Sequence, residues 1–347
     1  MGTSYYDALL PVREAGAGLT DAVAGLRLPY RVVAAVGMPA GRIVVAFVSD
    51  SARLSRMFAA NWAGTEAGRE PDATLYALAR PAHDYGLSAG WDGARWWSRE
   101  RRAMAVFAFG SYWLAKVCLR GICSAVSGGD TVFLHGCALS VGAGAGRRGV
   151  IVTGSSGAGK TTLVAGLLRQ PALAVAVVND DWGAMSLASG CCASTGEQML
   201  HMKSRSAAAL CPGFFATAPR GSYLRDLSDP DPAARILVRP ASVYGTAWHP
   251  AAMPIERVAV VVREPAGWSP PAPGGEAVRA LESEGGARPP HDHEAFFNGS
   301  LILATDDDRR REERRYQRLA DRVAVCWINN CDTPQAMVGS FIAAVMA

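Results

Sequence analysis

Lysine is scarce in this chain. Only Lys116, Lys160 and Lys203 occur among 35 basic residues, so arginine supplies nearly all of the positive charge. The net charge is a modest +4, and the densest basic run, residues 309–315, is interrupted by acids and follows three aspartates. Such a run is typical of a solvated helix face with i,i+4 ion pairs rather than of a nucleic-acid surface. We therefore expect no nucleic-acid partner.

Three further features are missing. None of the eight cysteines forms a C-x-x-C pair, which argues against a zinc ribbon or redox motif and favours reduced, buried thiols. The most apolar stretch, residues 106–126, is interrupted by Lys116 and Arg120, so it is too polar to span a membrane comfortably. The first residues lack the charged and apolar regions of a signal peptide. We expect a soluble, cytoplasmic protein without a membrane partner.

A complete Walker A loop, GSSGAGKT, occupies residues 154–161. Its glycines allow backbone N–H groups to surround phosphates, and residue frequencies give about 0.004 chance matches to the pattern. Lys160 is expected to reach the β- and γ-phosphates, and Thr161 to offer its hydroxyl to Mg²⁺. The predicted cofactors are ATP and Mg²⁺. The predicted phosphate-binding residues are Gly154, Ser155, Ser156, Gly157, Ala158, Gly159, Lys160, Thr161 and Thr162.

The chain divides into two predicted parts: an N-terminal α/β region over residues 1–130 and a P-loop domain over residues 131–347. The β-branched runs at residues 31–36 and 42–48 predict two strands joined by a turn. A long amphipathic helix is predicted from Arg99 to about Leu119, ending at Gly121. Residues 265–290, rich in proline, glycine and glutamate, predict a mobile surface loop.

An aspartate pair follows the Walker lysine by twenty residues. A helix from Lys160 to Arg169 leads about 15 Å away from the phosphates, and the apolar strand at residues 173–178 returns about 16–20 Å. Asp180 and Asp181 are therefore expected beside the nucleotide, at the end of a strand parallel to the one before the loop. One carboxylate could hold Mg²⁺ and the other accept a proton. The alternative is a helix cap or an exposed turn.

These motifs together resemble the HPr kinase and phosphoenolpyruvate carboxykinase group over roughly residues 131–200. Residues 134–136 resemble the His-Gly segment before the loop, residues 179–183 the Asp-Asp motif, and residues 189–194, faintly, the Gly-Gly-Cys-Tyr segment. Residues 99–116 are similar to HPr kinase-related small kinases of bacterial biosynthetic clusters. The C-terminal HPr kinase signature and the carboxykinase metal ligands have no recognisable counterpart. The resemblance implies an α/β fold with an HPr kinase/carboxykinase-like P-loop core.

The resemblance also implies residue roles. Lys160 would assist transfer, His135 would lie near the transferred phosphoryl group, and Asp180 and Asp181 would share base and metal duties in an order left open. The metal ligands would be Thr161 and Asp180. Four further candidates for charge neutralisation or metal binding are Glu197, Lys203, Arg205 and Arg239.

The function predicted on this basis is an ATP- and Mg²⁺-dependent kinase of a hydroxyl on a small metabolite: a sugar, a nucleoside or an amino-acid-derived intermediate of a specialised pathway. One alternative is a kinase of a serine in a peptide or small protein. Another is a non-catalytic nucleotide-binding regulatory module. The acceptor, the choice between ATP and GTP, and the formation of a homo-oligomer stay open.

Overall fold

The structure is a computed structural model. The part of the chain that it describes consists of residues 12–62, 68–108, 112–127, 130–154, 157–210, 213–218, 223–225, 235–245, 252–265, 269, 305–330 and 333–346. Ser155 and Ser156 of the Walker loop lie outside these ranges, as does nearly all of the predicted surface loop at residues 265–290.

The N-terminal part of the described chain forms a six-stranded sheet with two helices. Strands β2 and β3 form an antiparallel hairpin in which Met38 pairs with Gly41, and β3, β4 and β6 run parallel. The strand order is β1-β5-β6-β4-β3-β2. The elements are β1 Val12–Glu14, α1 Ala17–Ala24, β2 Tyr30–Met38, β3 Gly41–Ser49, α2 Ala52–Asn61, β4 Ala73–Ala77, β5 Arg95–Ser98 and β6 Ala103–Val106.

A second, eight-stranded mixed sheet carries the Walker loop within the described residues. Its strands are β7 Thr131–Leu134, β8 Gly136–Val141, β9 Arg148–Thr153, β10 Ala176–Asn179, β11 Gly183–Ser186, β12 Cys191–Ala193, β16 Met253–Val262 and β17 Ala324–Asn329. The order is β10-β8-β9-β16-β12-β11-β7, with β17 also paired to β16. Because β9, β16 and β17 run parallel while β8 is antiparallel to both β9 and β10, β10 points the same way as β9.

A small three-stranded sheet lies beside it in the described chain, in the order β13-β15-β14. Its strands are β13 Leu200–Lys203, β14 Tyr223–Arg225 and β15 Arg235–Val238. The remaining helices are α3 Tyr112–Val126, α4 Lys160–Leu168, α5 Ser204–Leu210, α6 Phe214–Thr217, α7 Pro240–Tyr244, α8 Asp306–Ala320 and α9 Pro334–Met346. None of the described helices combines the length and apolar character that a bilayer crossing requires.

The two large sheets are joined by a shared core. One buried cluster contains residues of the first sheet, α2 and α3 together with Phe133 of β7 and Trp182, which lies between β10 and β11 of the second sheet. The Trp182 ring stacks on Phe133 with centroids 5.5 Å apart and meets Trp62 of the N-terminal region edge-on at 6.3 Å. The site described below therefore draws side chains from both parts of the chain.

The predicted helix from Arg99 to Leu119 is wrong in its bounds. Residues 103–106 instead form β6, all four of them buried between β4 and β5, because a fully buried strand and a helix segment of this length have the same apolar pattern. Helix α3 begins only at Tyr112 and continues through Gly121 to Val126. The α/β class is confirmed, and so are the two strands of the N-terminal hairpin; the domain boundary at residue 130 stays a prediction.

Candidate functional site

The Walker loop lies between a buried strand and a helix, as its sequence predicts. β9 has hydrogen-bonded neighbours on both sides, β8 and β16, and α4 begins at Lys160. Gly159 has a φ of +115°, in the left-handed region that glycine favours. Lys160 Nζ donates to the Gly154 carbonyl at 2.6 Å, and Asn330 Nδ2 donates to the Ala158 carbonyl at 2.5 Å. These bonds tie two carbonyls of the loop to the start of α4 and to the residue after β17.

A cavity of about 170 Å³ opens at this loop. The predicted site residues that line it are His135, Gly157, Gly159, Lys160, Thr161, Thr162 and Asp181. The structure thus brings the Walker lysine, the threonine hydroxyls and one aspartate to the same wall. Asp180, which the structure also describes, is not among the lining residues. Gly154 and Ala158 contribute the two carbonyls that brace the loop rather than lining groups.

Asp181 is held by two cations from α3. Its Oδ2 lies 2.6 Å from Arg120 Nη2 and 3.3 Å from Lys116 Nζ, and its backbone carbonyl accepts from Arg120 Nη2. Its Oδ1 lies 3.4 Å from His135 Nε2. Burial would raise the pKa of Asp181, but the charges of Arg120 and Lys116 lower that pKa well below its usual value. Asp181 is therefore an ionised, ion-paired carboxylate, not one poised to accept a proton.

Asp180 faces a different environment. Its Oδ2 accepts the His201 backbone N–H at 2.6 Å, so it ties the end of β10 to β13. Burial, followed by the neighbouring charge of Asp181, raises the pKa of Asp180. The structure therefore does not bring Asp180 and Thr161, the predicted metal pair, to one surface of the cavity.

His135 is partly buried at the cavity, in the turn between β7 and β8. Its carbonyl accepts from Thr153 Oγ1 at 2.9 Å, which anchors the turn to the end of β9. Burial, followed by the charge of Lys160, lowers the pKa of His135 to about 4. At neutral pH the ring is uncharged and contacts Asp181 rather than forming an ion pair.

Behind Asp181 lies a buried charge network that sequence reasoning missed. Lys116 Nζ lies 2.7 Å from Glu197 Oε1, and both side chains are fully buried. Asn61 Nδ2 donates to the Tyr112 hydroxyl at 2.7 Å and to Glu197 Oε1 at 3.4 Å. Lys116 interrupts an otherwise apolar helix in a lysine-poor chain, and a charge at such a position could have indicated a buried partner.

The structure places the four further candidates in three different locations. Lys203 and Arg205 line the cavity, together with Arg235, which the sequence did not single out. Glu197 belongs to the network around Lys116. Arg239 contacts neither: it donates to Gln198 Oε1 at 3.1 Å and to the Ala60 carbonyl at 3.2 Å. Both contacts lie at the junction with the N-terminal region, so the structure does not bring Arg239 to the cavity with the other candidates.

The donor groups at the cavity fit a nucleoside triphosphate with Mg²⁺. Thr161 lies in the first turn of α4, where its hydroxyl can serve as a hard oxygen ligand, and the Asp181 carboxylate reaches the same space. A resident transition-metal site is a separate question. Among the described residues, no group of three histidine, cysteine, aspartate or glutamate side chains is placed to hold such an ion.

Residues 149–207 match the family model described as CobW/HypB/UreG, nucleotide-binding domain. A comparison with curated proteins gives no match. The matched segment contains β9, the Walker loop, α4 and the aspartate pair, so nucleotide binding by a P-loop domain is the function it supports.

This match overturns the resemblance to HPr kinases and carboxykinases, because it assigns the same segment to a different P-loop family. The prediction of a kinase acting on a small-metabolite alcohol is wrong with it, and so is the assignment as an ATP-dependent phosphotransferase. The geometry also argues against a kinase, because Asp181, the carboxylate at the cavity, forms ion pairs with Lys116 and Arg120. Of the functions considered from the sequence, the nucleotide-binding module fits this match best.

Proposed function

We propose that this chain is a nucleotide-binding regulatory module that holds a nucleoside triphosphate and Mg²⁺ at the Walker loop. The observation that carries the proposal is the wall formed by Gly157, Gly159, Lys160 and Thr161, which combines backbone N–H groups, a helix N-terminus, an ammonium group and a hydroxyl at one cavity. The match to the CobW/HypB/UreG nucleotide-binding domain makes GTP the first nucleotide to test and ATP the second.

The ion pairs of Asp181 favour binding without transfer. A general base needs a free lone pair and a pKa near the working pH. Asp181 has a strongly lowered pKa and two cationic partners, and Asp180 directs an oxygen to the His201 N–H. Neither carboxylate is arranged to activate an attacking hydroxyl.

The same ion pairs supply a route for regulation. Lys116 and Arg120 belong to α3, which is packed in the core of the N-terminal region. A phosphate-bound Mg²⁺ held beside Asp181 would compete with both cations for the same carboxylate. Binding of nucleotide and Mg²⁺ would then weaken the ion pairs between α3 and Asp181, and α3 could change its position. Because α3 packs against the N-terminal sheet, a movement of α3 would alter the surface of that sheet.

A cytoplasmic location is part of the proposal. The cysteines that the structure describes are all unpaired, and burial raises the pKa of Cys118 and Cys123. Buried thiols of this kind are typical of a reducing compartment.

Nucleotide titration tests the proposal. Isothermal titration with GTP, GDP and ATP, each with Mg²⁺ or with EDTA, is expected to show binding to the wild type. Lys160→Ala should weaken triphosphate binding at least about tenfold because it removes a charged hydrogen-bond donor. Arg56→Ala, an exposed substitution on α2 outside the cavity, is the matched control. Absence of binding by any of the three nucleotides would contradict the proposal, and rapid multiple turnover of the triphosphate would contradict its non-catalytic part.

A further inference from the structure

Three cations outside the Walker motif line the nucleotide cavity. Lys203 ends β13, Arg205 lies in the first turn of α5, and Arg235 begins β15. His201 and Lys203 are two residues apart on β13 and therefore project to the same face, where both line the cavity. The three cations form one basic wall made by the small sheet and the helix that follows it.

This arrangement brings like charges close together. Lys203 and Arg235 are direct cross-strand partners, a position in which like charges destabilise a sheet. Arg205 adds a third positive charge near a helix N-terminus, where cations are also unfavourable. Burial, followed by the charges of Arg205 and Arg235, lowers the pKa of Lys203.

Within the described residues, no carboxylate forms an ion pair with Lys203 or Arg205. The charges of Lys203 and Arg205 are therefore not balanced by a carboxylate of the described chain. Arg205 is exposed and Lys203 is half-buried, so an anion can reach them from solvent through the cavity.

We propose that Lys203, Arg205 and Arg235 form a second phosphate-binding site in this cavity, separate from the Walker loop. Two guanidinium groups match the geometry of a phosphate group by paired hydrogen bonds, and the ammonium group adds a point charge. The phosphate has two sources: the terminal phosphate of the bound nucleotide, or a phosphate group on a second ligand. The first source rests on the proposed function; the second does not.

Single substitutions separate this wall from the Walker loop. The test compares the wild type with Arg205→Gln, Lys203→Gln and Arg235→Gln, and uses Arg56→Gln on α2 as the matched loss of one charge outside the cavity. Because Lys203→Gln and Arg205→Gln each relieve like-charge repulsion, their melting temperatures without ligand are expected to equal or exceed that of the wild type. This readout does not depend on nucleotide binding, and the exposed Arg205 keeps the test available should a strand variant fold poorly.

Two titrations distinguish the sources. If the wall holds the terminal nucleotide phosphate, the wall variants lose at least about tenfold in GTP affinity while GDP affinity changes little. If it holds a second ligand, inorganic phosphate or pyrophosphate binds to the GDP-saturated wild type and binds at least about tenfold more weakly to the wall variants. Variants that match Arg56→Gln in both titrations would overturn the second site.

The failure of the proposed function gives a different result. In that case the wild type binds no nucleotide, and pyrophosphate is titrated into the nucleotide-free protein. Binding that survives Lys160→Ala and is lost in Arg205→Gln would support the basic wall alone. Equal pyrophosphate binding by the wild type, Arg205→Gln and Arg56→Gln would overturn it.

Discussion

The ammonium group of Lys116 lies 2.7 Å from Glu197 Oε1, and neither side chain is exposed to solvent. Burial would lower the pKa of Lys116, but the negative charges of Glu197 and Asp181 raise it above its usual value. Burial raises the pKa of Glu197 to about 7, although Lys116 opposes this shift. Lys116 is thus a charged residue that contacts two carboxyl groups: Asp181 at the nucleotide cavity and Glu197 behind it.

Lys116→Met should destabilise the protein strongly, because it leaves Glu197 buried without its cation and removes one partner of Asp181. Breaking a buried ion pair in this way costs about 3–5 kcal/mol. Urea unfolding followed by far-UV circular dichroism measures the loss. The double variant Lys116→Met, Glu197→Gln should regain part of it, since no carboxylate is then stranded. Equal stability of the wild type and Lys116→Met would show that this network carries little of the folding free energy.

Thr161→Ala should reduce the Mg²⁺ dependence of nucleotide binding. The hydroxyl lines the cavity in the first turn of α4 and is the group expected to ligate the ion. We expect GTP affinity in Mg²⁺ to fall at least about tenfold, and affinity in EDTA to change little. Titrations in both buffers measure the difference. Arg56→Ala, exposed on α2 and outside the cavity, serves as control. An unchanged response of Thr161→Ala to Mg²⁺ would contradict the predicted ligand role.

Gly159→Ala should disrupt the Walker loop. Its φ of +115° costs about 1–2 kcal/mol for a residue with a Cβ atom, and that atom would overlap the Asn330 side chain that braces Ala158. Nucleotide binding is expected to be lost in titrations that detect wild-type affinity. Gly157→Ala is the matched comparison, because its φ of +92° is also strained but its added Cβ meets no atom within 4 Å. A larger defect in Gly157→Ala than in Gly159→Ala would argue against the Asn330 contact.

His135 should make the protein less stable in acid. Its pKa is about 4 in the folded state because of burial and Lys160, against 6.5 for an ordinary histidine. Between these values the unfolded chain binds a proton that the folded chain does not, so stability falls as pH decreases from 6.5 to 4. One proton corresponds to about 1.4 kcal/mol per pH unit.

His135→Gln should therefore flatten this part of the stability profile, measured by urea unfolding at several pH values. Glu197 contributes an opposite slope below its pKa of about 7, but it does so in both proteins, so the difference between the two profiles isolates His135. Parallel profiles over pH 4 to 6.5 would contradict the buried, neutral state of the ring.

Arg239→Gln should lower stability without affecting nucleotide binding. Its guanidinium joins Gln198 to the Ala60 carbonyl, and charged hydrogen bonds of this kind contribute about 1.5–3 kcal/mol. Thermal unfolding and GTP titration on the same samples check both halves of the prediction. If Arg239→Gln lowered GTP affinity as much as Lys160→Ala does, Arg239 would have to contribute to nucleotide binding.

Local chemistry made the Walker region predictable. The strand before the loop and the helix from Lys160 follow from short-range patterns, and β9 and α4 lie where those patterns placed them. The strand that returns to the aspartate pair is shorter than predicted: β10 begins at Ala176 rather than at residue 173. The roles of the two aspartates did not follow, because adjacent residues of one type look equivalent in a sequence. Their difference comes from Lys116 and Arg120, which lie sixty residues earlier in the chain.

The bounds of α3 could not be read from the sequence for a related reason. Residues 103–106 are apolar on every side, so periodicity gives no choice between helix and strand; pairing with β4 and β5 decides it. Arg235 was missed because a single arginine carries no local signal. Its place at the cavity follows from the pairing of β13 with β15, which sets it opposite Lys203.

The placement of Lys116 and Arg120 on α3 has a consequence for how this chain can be divided. A fragment beginning at residue 131 would keep the whole Walker loop but would enclose Asp181 and Glu197 without the cations that neutralise them. Conversely, an N-terminal fragment ending with α3 would carry Lys116 and Arg120 without the carboxylates that they contact. The nucleotide site therefore cannot be transferred on its own: a graft onto another scaffold would have to include α3.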